Sequence, residues 1–388
     1  MRLVFFIVFF ISSVFANSFV DAITSGKKEG DIHLLFDYTN SNPDINGTKY
    51  QNSAFLATSF GLYYHSAFYG YFRAHIGFRG AIALIQGNRK STFSGGSGDA
   101  ARDFWDSNKA MLARSYLEYF DGDTSIRVGR LEDGTDAITN HFDGLWFQNK
   151  SLGFLLIDFI WINQQGTVLP RELSGFSKLN TKYGGAYYLG ATLDVFTFLK
   201  LKLYGAIIPQ SHSFIGFKAA LDVANHANAN LGILSGFEQK NSEFRNKTSL
   251  LLHADIGYKY NIFYGALGYI RTGSSVGMGS LQVTGNSVTP FFYFSGDVLN
   301  YERNVNLFFG KFGIDADIIQ AYLVYGYNIF NRNLSTDDRK YTQGEVNLYF
   351  DWKTSEATNV IFYLLNTHGG KAAIPNLTQT GIAFRLGF

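Results

Sequence analysis

The chain has 388 residues, 46% hydrophobic and 17% aromatic, with 41 Gly, 5 Pro and no Cys. That aromatic content excludes a disordered chain, and the absence of cysteine excludes a disulfide scaffold and thiolate metal sites. Lys and Arg number 33 against 31 for Asp and Glu, so there is no global basic field of the kind that binds nucleic acid, and any selectivity must come from local charge placement.

At the start of the chain Arg2 precedes an apolar run from Leu3 to Ile11, then Ser12, Ser13 and Val14-Phe15-Ala16. A basic start, a short apolar stretch and a small residue before the cut mark a secretory signal peptide over residues 1–16, with the mature chain beginning at Asn17. The run is shorter than the roughly 20 residues of a spanning helix. Nothing later offers one either, so residence in a membrane requires a closed barrel.

From there on the pattern is alternation with period two. Over 71–84, Phe72, Ala74, Ile76, Phe78, Ile82 and Leu84 share one face while Arg73, His75 and Arg79 share the other. Over 196–204, Lys200, Lys202 and Tyr204 oppose Leu199, Leu201 and Leu203; over 249–260, Leu252, Ala254 and Ile256 oppose His253, Asp255 and Lys259. The same holds at 345–352, where Val346, Leu348, Phe350 and Trp352 oppose Glu345, Asn347, Tyr349 and Asp351. In a soluble barrel the apolar face points inward, whereas in an outer-membrane barrel it points to lipid and the polar face lines a wet lumen. Many segments run about 9 to 13 residues, the length of a tilted spanning strand, and aromatic pairs such as Tyr63-Tyr64 and Tyr187-Tyr188 sit near their ends like interfacial girdles.

Strands are expected near 30–39, 52–66, 70–85, 108–120, 124–131, 141–149, 152–163, 183–194, 196–207, 213–224, 229–239, 249–260, 262–272, 304–311, 318–329, 341–352, 358–367 and 378–388. That is an all-β fold, a single antiparallel transmembrane barrel of eighteen strands over 17–388, with sixteen as the alternative even number. Short turns fall at Asp121-Gly122-Asp123, Asn149-Lys150-Ser151 and near Val195 and Asn261, and longer outer loops at 86–107, 131–140, 164–182 and 273–303, the last absorbing the strand-like Pro290–Gly296. The run Ser94-Gly95-Gly96-Ser97-Gly98 lacks the Lys-Ser or Lys-Thr of a phosphate loop. The chain ends Ile382-Ala383-Phe384-Arg385-Leu386-Gly387-Phe388, similar to the terminal strand by which outer-membrane barrels are recognised for assembly, with Phe384, Leu386 and Phe388 toward lipid.

Three stretches resemble the OprD-like outer-membrane porins, and especially relatives in Helicobacter and its kin. They are Asp21 to Tyr38, Ile126-Arg127-Val128-Gly129-Arg130 followed by Asn140-His141-Phe142-Asp143-Gly144-Leu145, and Asn304 to Ile329 including the turn Lys311-Phe312-Gly313-Ile314. The family's Arg and Pro before Phe-x-Gly are replaced here by Ala137-Ile138-Thr139-Asn140-His141. The resemblance implies an eighteen-stranded barrel, an inward-folded loop and a basic ladder guiding small anionic or zwitterionic solutes.

By parity Arg73, Arg79, Arg114, Glu118 and Arg127 point inward, and Arg130 falls on the opposite parity at a strand end, from which a long side chain can bend to the rim. Strands lie about 4.8 Å apart, so these arginines form a basic strip on one wall. Glu132, Asp133 and Asp136 of the 131–140 loop are expected to face it, setting a transverse field. The blander alternative is that these charges merely satisfy one another, as in any polar lumen. Lys200, Lys202, Lys218 and Lys259 are further lumen charges.

The eight histidines, at 33, 65, 75, 141, 212, 226, 253 and 368, show no metal spacing, so no metal or cofactor is expected. His253 and Asp255 form an i, i+2 pair with Ser235 or Ser249 as candidate neighbours, and lumen packing is the reading adopted over catalysis. The sequence thus points to a non-enzymatic outer-membrane channel for passive diffusion of small hydrophilic solutes, monomeric or trimeric, with lipid and the barrel-assembly machinery as partners. A barrel with a plugged lumen, whose outer loops bind host surfaces or ligands, is the alternative.

Overall fold

A strand with one apolar and one polar face belongs at a boundary between two unlike media, and a sheet of such strands loses its open edges only by closing on itself. The computed structural model describes residues 16–41, 51–93, 96–101, 104, 110–132, 134–135, 138, 141–179, 184–223, 226–239, 242, 245–277, 290–291, 298–299, 302–332, 339–369 and 375–388. Among them eighteen strands close a ring. They are β1 Lys27–Ser41, β2 Ser53–His65, β3 Phe72–Gln86, β4 Ala110–Phe120, β5 Thr124–Leu131, β6 His141–Asn149, β7 Leu155–Leu169, β8 Ala186–Phe196 and β9 Leu199–Ile208. The second half comprises β10 His212–Val223, β11 Ala227–Glu238, β12 Thr248–Tyr260, β13 Phe263–Thr272, β14 Arg303–Asp315, β15 Ile319–Asn331, β16 Lys340–Lys353, β17 Thr358–His368 and β18 Leu377–Gly387.

Each strand pairs antiparallel with its chain neighbours, and β18 returns to β1 in unbroken register from Asp31↔Gly387 to Ser41↔Leu377. A further strand, Glu172–Lys178, joins the sheet only by folding back on the end of β7. The alternation therefore places all eighteen wall strands. One local expectation fails: Lys311-Phe312-Gly313-Ile314 is not a turn, because β14 runs on to Asp315 with Phe308 and Phe312 outward and Phe309, Lys311 and Gly313 inward. The turn follows at 316–318.

The two faces have opposite chemistry. Outward positions carry exposed apolar side chains all round the ring, among them Ile32, Phe78, Leu203, Ile256, Leu323 and Leu267, which is 68% exposed. Inward positions carry Arg79, Glu118, Asp37 and Glu345, each no more than 2% exposed. This is the inverse of a soluble barrel, and it matches a hydrocarbon exterior around a polar interior.

The connections at one end are short. At 121–123 the Asp121 carboxylate accepts the amides of Thr124 at 2.7 Å and Asp123 at 3.0 Å, and the Thr124 amide, as the main cause, holds that carboxyl below its ordinary value. Phe388 closes this end through paired backbone bonds with Gly30. A helix the sequence did not announce, α1 Ala16–Thr24, lies here too, its Ala22 carbonyl accepting the Ala67 amide at 2.9 Å. Residues 1–15 of the expected signal peptide lie outside the described residues.

At the opposite end the long connections turn into the barrel. Phe104 and Leu173 pack with Leu35, Phe55 and Ala57 of the wall, while Phe291, Val298 and Leu299 pack with Val305, Leu307 and Phe309. Apolar loop residues and inward apolar wall residues thus bury each other, which holds the loops inside rather than above the ring.

Candidate functional site

A water-filled tube discriminates between solutes only where it is narrow enough for wall groups to replace their water. Among the described residues, an element that reaches across this lumen is the hairpin formed by the end of β7 and Glu172–Lys178; most of the 131–140 loop lies outside them. It leaves the wall where Gly166 gives room to the Phe176 ring, and its tip reaches the far side. There the Ser59 hydroxyl of β2 donates to the Pro170 carbonyl at 2.7 Å, and the Arg171 guanidinium lies over the Tyr363 ring of β17 at 4.4 Å. The Leu173 amide donates to the Phe104 carbonyl at 2.8 Å, which ties the hairpin to the 87–109 loop.

Of the five arginines of the wall, Arg130 meets the hairpin at Phe176 and Arg79 through Ser59. Cross-strand register sets Arg73 directly opposite Glu118, Glu118 opposite Arg127, and Arg130 opposite Asp143. Glu118 is the hub: it accepts from Arg127 Nε at 3.0 Å and from Arg73 Nε, with His75 Nε2 at 3.4 Å. Arg79 donates through Nη2 to both Asp31 oxygens at 2.7 Å and through Nη1 to the Ser59 hydroxyl at 3.1 Å. Arg114 pairs with Glu132 and lies 4.7 Å over the Tyr63 ring.

The strip therefore assembles, but it is not a bare basic wall. Asp31, Glu118 and Asp143 of the wall and Glu132 of the 131–140 loop pair with it. Of the three loop acids, Glu132 does meet the strip, and Asp133 and Asp136 lie outside the described residues. The register runs unbroken through Gly129, so Arg130 lies on the opposite parity, where it binds the directly facing Asp143 at 2.6 and 2.8 Å and lies 3.5 Å from the centroid of the Phe176 ring of the hairpin.

Elsewhere in the lumen Lys202 and Lys218 stand opposite one another on β9 and β10, Lys200 is 3.9 Å from Asp194, and Lys259 is 2.7 Å from Asp315. His253 binds Asp255 at 2.9 Å, and Asn230 donates to the same carboxylate at 3.1 Å. Ser249 is opposite Gly236 and Ser235 opposite Leu250, whereas His253 is opposite Gly232, so no Ser-His-Asp arrangement forms there. No group of three or more metal-ligating side chains occurs among the described residues. The residues that sequence reasoning missed are Asp31, Asp143 and Arg171; strand parity carries no signal for the first two as partners, because partnership is a matter of register.

No family model and no curated protein matches the chain. Solved structures do match. OpdO of Pseudomonas aeruginosa aligns with TM-score 0.76 at 11% identity over 95% of this chain and 98% of that one. OccAB2 of Acinetobacter baumannii aligns with TM-score 0.76 at 11% identity over 95% and 99%. The outer membrane protein OpdK of Pseudomonas aeruginosa aligns with TM-score 0.72 at 11% identity over 93% and 98%. Likeness at this identity establishes the fold across nearly the whole chain.

Proposed function

We propose that the chain is an outer-membrane channel for passive diffusion of small hydrophilic solutes, similar in role to the OprD-like porins it resembles. The observation that carries this reading is a closed ring, apolar outside and charged inside, narrowed by the 164–178 hairpin beside a paired arginine wall. An apolar exterior on eighteen strands belongs in a bilayer, and a lumen lined with charge stays wet. Export follows from residues 1–16 as a cleaved signal, and Phe384, Leu386 and Phe388 serve the barrel-assembly machinery. No step of the proposed role is chemical, so the chain acts as a channel rather than an enzyme. Because each arginine of the strip already holds a carboxylate, the channel discriminates weakly between small anions and cations.

One observation favours a second reading, a plugged barrel that works through its outer loops. The inward residues Asp37, Asn347, Val305 and Leu307 are 0% exposed, so the inward-folded loops fill much of the outer half of the lumen. Liposome swelling separates the two. Vesicles containing the folded barrel swell in isotonic glycerol, arabinose and glucose at rates falling with solute size if the channel reading holds; swelling no faster than protein-free vesicles rejects it.

A further inference from the structure

Inward side chains of neighbouring strands stand side by side, so register draws lines of contact across the wall. One line crosses seven adjacent strands. Tyr264 is opposite Gly313, Gly313 opposite Tyr322, Tyr322 opposite Tyr349, Tyr349 opposite Tyr363, Tyr363 opposite Gly381, and Gly381 opposite Asp37. Both glycines are overlain by a neighbour: a Cβ on Gly313 would overlap the Tyr264 ring, and one on Gly381 would overlap the Tyr363 ring. Those two rings therefore lie along the wall. Tyr322 and Tyr349 stack with centroids 5.0 Å apart at 19°.

Strands of such a barrel tilt by roughly 35–45°, so a line perpendicular to them climbs as it goes round. Six steps of about 4.8 Å cover about 29 Å of wall and rise roughly 17–20 Å. The half-buried Tyr264, Tyr322 and Tyr349 form the accessible part, starting beside the short-turn end, and the line ends at Tyr363, which is buried beneath Arg171 of the hairpin tip. Polar groups border Tyr322 and Tyr349. Lys311 Nζ lies 4.2 Å over the Tyr322 ring, and Asp351 accepts from Asn359 at 3.0 and 3.2 Å. At the upper end Asp37 is 0% exposed and closes the line from within the wall, accepting from Gln379 at 2.9 Å and from the Tyr363 hydroxyl.

We propose that this ascending line of tyrosines is a binding track for pyranose sugars, an assignment that rests on the channel reading. A sugar ring offers apolar C–H faces to aromatic rings and a rim of hydroxyls to carboxylates, amides and ammonium groups, and the track supplies both kinds of partner side by side. A planar apolar ring leaves the polar border unused. A simple anion meets Lys311 but also Asp351, which repels it.

Saturation-transfer NMR on the folded full-length barrel in detergent, with maltotriose as probe, tests the track. Binding with a dissociation constant on the order of millimolar is expected, weakened at least about tenfold by Tyr322→Ser with Tyr349→Ser, since two ring contacts are lost. The Tyr322→Phe with Tyr349→Phe pair keeps the rings and is expected to retain binding. No transfer to maltotriose, transfer equal to that of a polyethylene glycol of the same size, benzoate binding more tightly than maltotriose, or a serine pair that binds as the parent does would each overturn the assignment. Swelling or current measurements judge the channel itself, so failure of one claim is distinguishable from failure of the other.

Discussion

Replacing Glu118 with Gln removes one negative charge from the centre of the arginine wall and leaves Arg73 and Arg127 without their shared partner. The lumen at that section then carries one more positive charge. For a monovalent ion passing about 6 Å away, the change is about 0.7 kcal/mol at the dielectric constant of water, or roughly threefold in local concentration. Anions gain and cations lose by that factor, so the chloride-to-potassium permeability ratio rises by about tenfold at most, and by less as salt screens the charge. The assay is the reversal potential across a planar bilayer in a potassium chloride gradient, at low and at high salt. Because Glu118 is only 2% exposed and holds two guanidiniums, the substitution also destabilises the fold by about 3–5 kcal/mol, so urea unfolding must accompany it. A folded Glu118→Gln barrel with the parent reversal potential at low salt would refute the argument that the paired carboxylates offset the charge of the wall.

Deleting the hairpin tip, residues 170–179, opens the section it spans and is expected to raise single-channel conductance by about twofold or more, read from current steps. Gly381→Leu would force the Tyr363 ring off the wall and break its bond to Asp37; a loss of about 1–3 kcal/mol in urea unfolding with an unchanged denaturant slope is expected. Leu267→Arg places a charge on the exterior near the middle of β13 and should cost about 2–4 kcal/mol in a bilayer, whereas the same change at inward Ala266 should cost far less; equal costs would mean the faces are misassigned. Asp121 has a lowered carboxyl value, so its turn contributes stability above the unfolded value near 3.9 and loses it as pH falls through the lower folded value; the unfolding-midpoint gap between parent and Asp121→Asn should close as acid protonates the group.

Period-two alternation was enough to read all eighteen wall strands, because a strand between lipid and water must write its two faces into the sequence. Parity likewise brought Arg73, Arg79, Arg114, Arg127 and Glu118 to the interior. What parity cannot give is register, since a shift of two residues keeps every face while exchanging every partner. The pairing of Arg73 and Arg127 with one carboxylate, and of Arg130 with Asp143, therefore came only with the structure. Gly313 misled: after Phe312 it looked like a turn, yet it lies within β14, where it makes room for the Tyr264 ring. The inward hairpin was illegible for a third reason, as its anchors, Ser59 and Tyr363, are more than a hundred residues away in the chain.

The most direct test of the account is the current through single barrels reconstituted in a planar bilayer, parent and 170–179 deletion side by side. The account predicts stable unitary steps from the parent, near-equal preference for small anions and cations, and larger steps from the deletion. A folded parent that passes no current, beside a deletion that does, would contradict it and leave a plugged barrel whose outer loops carry the function.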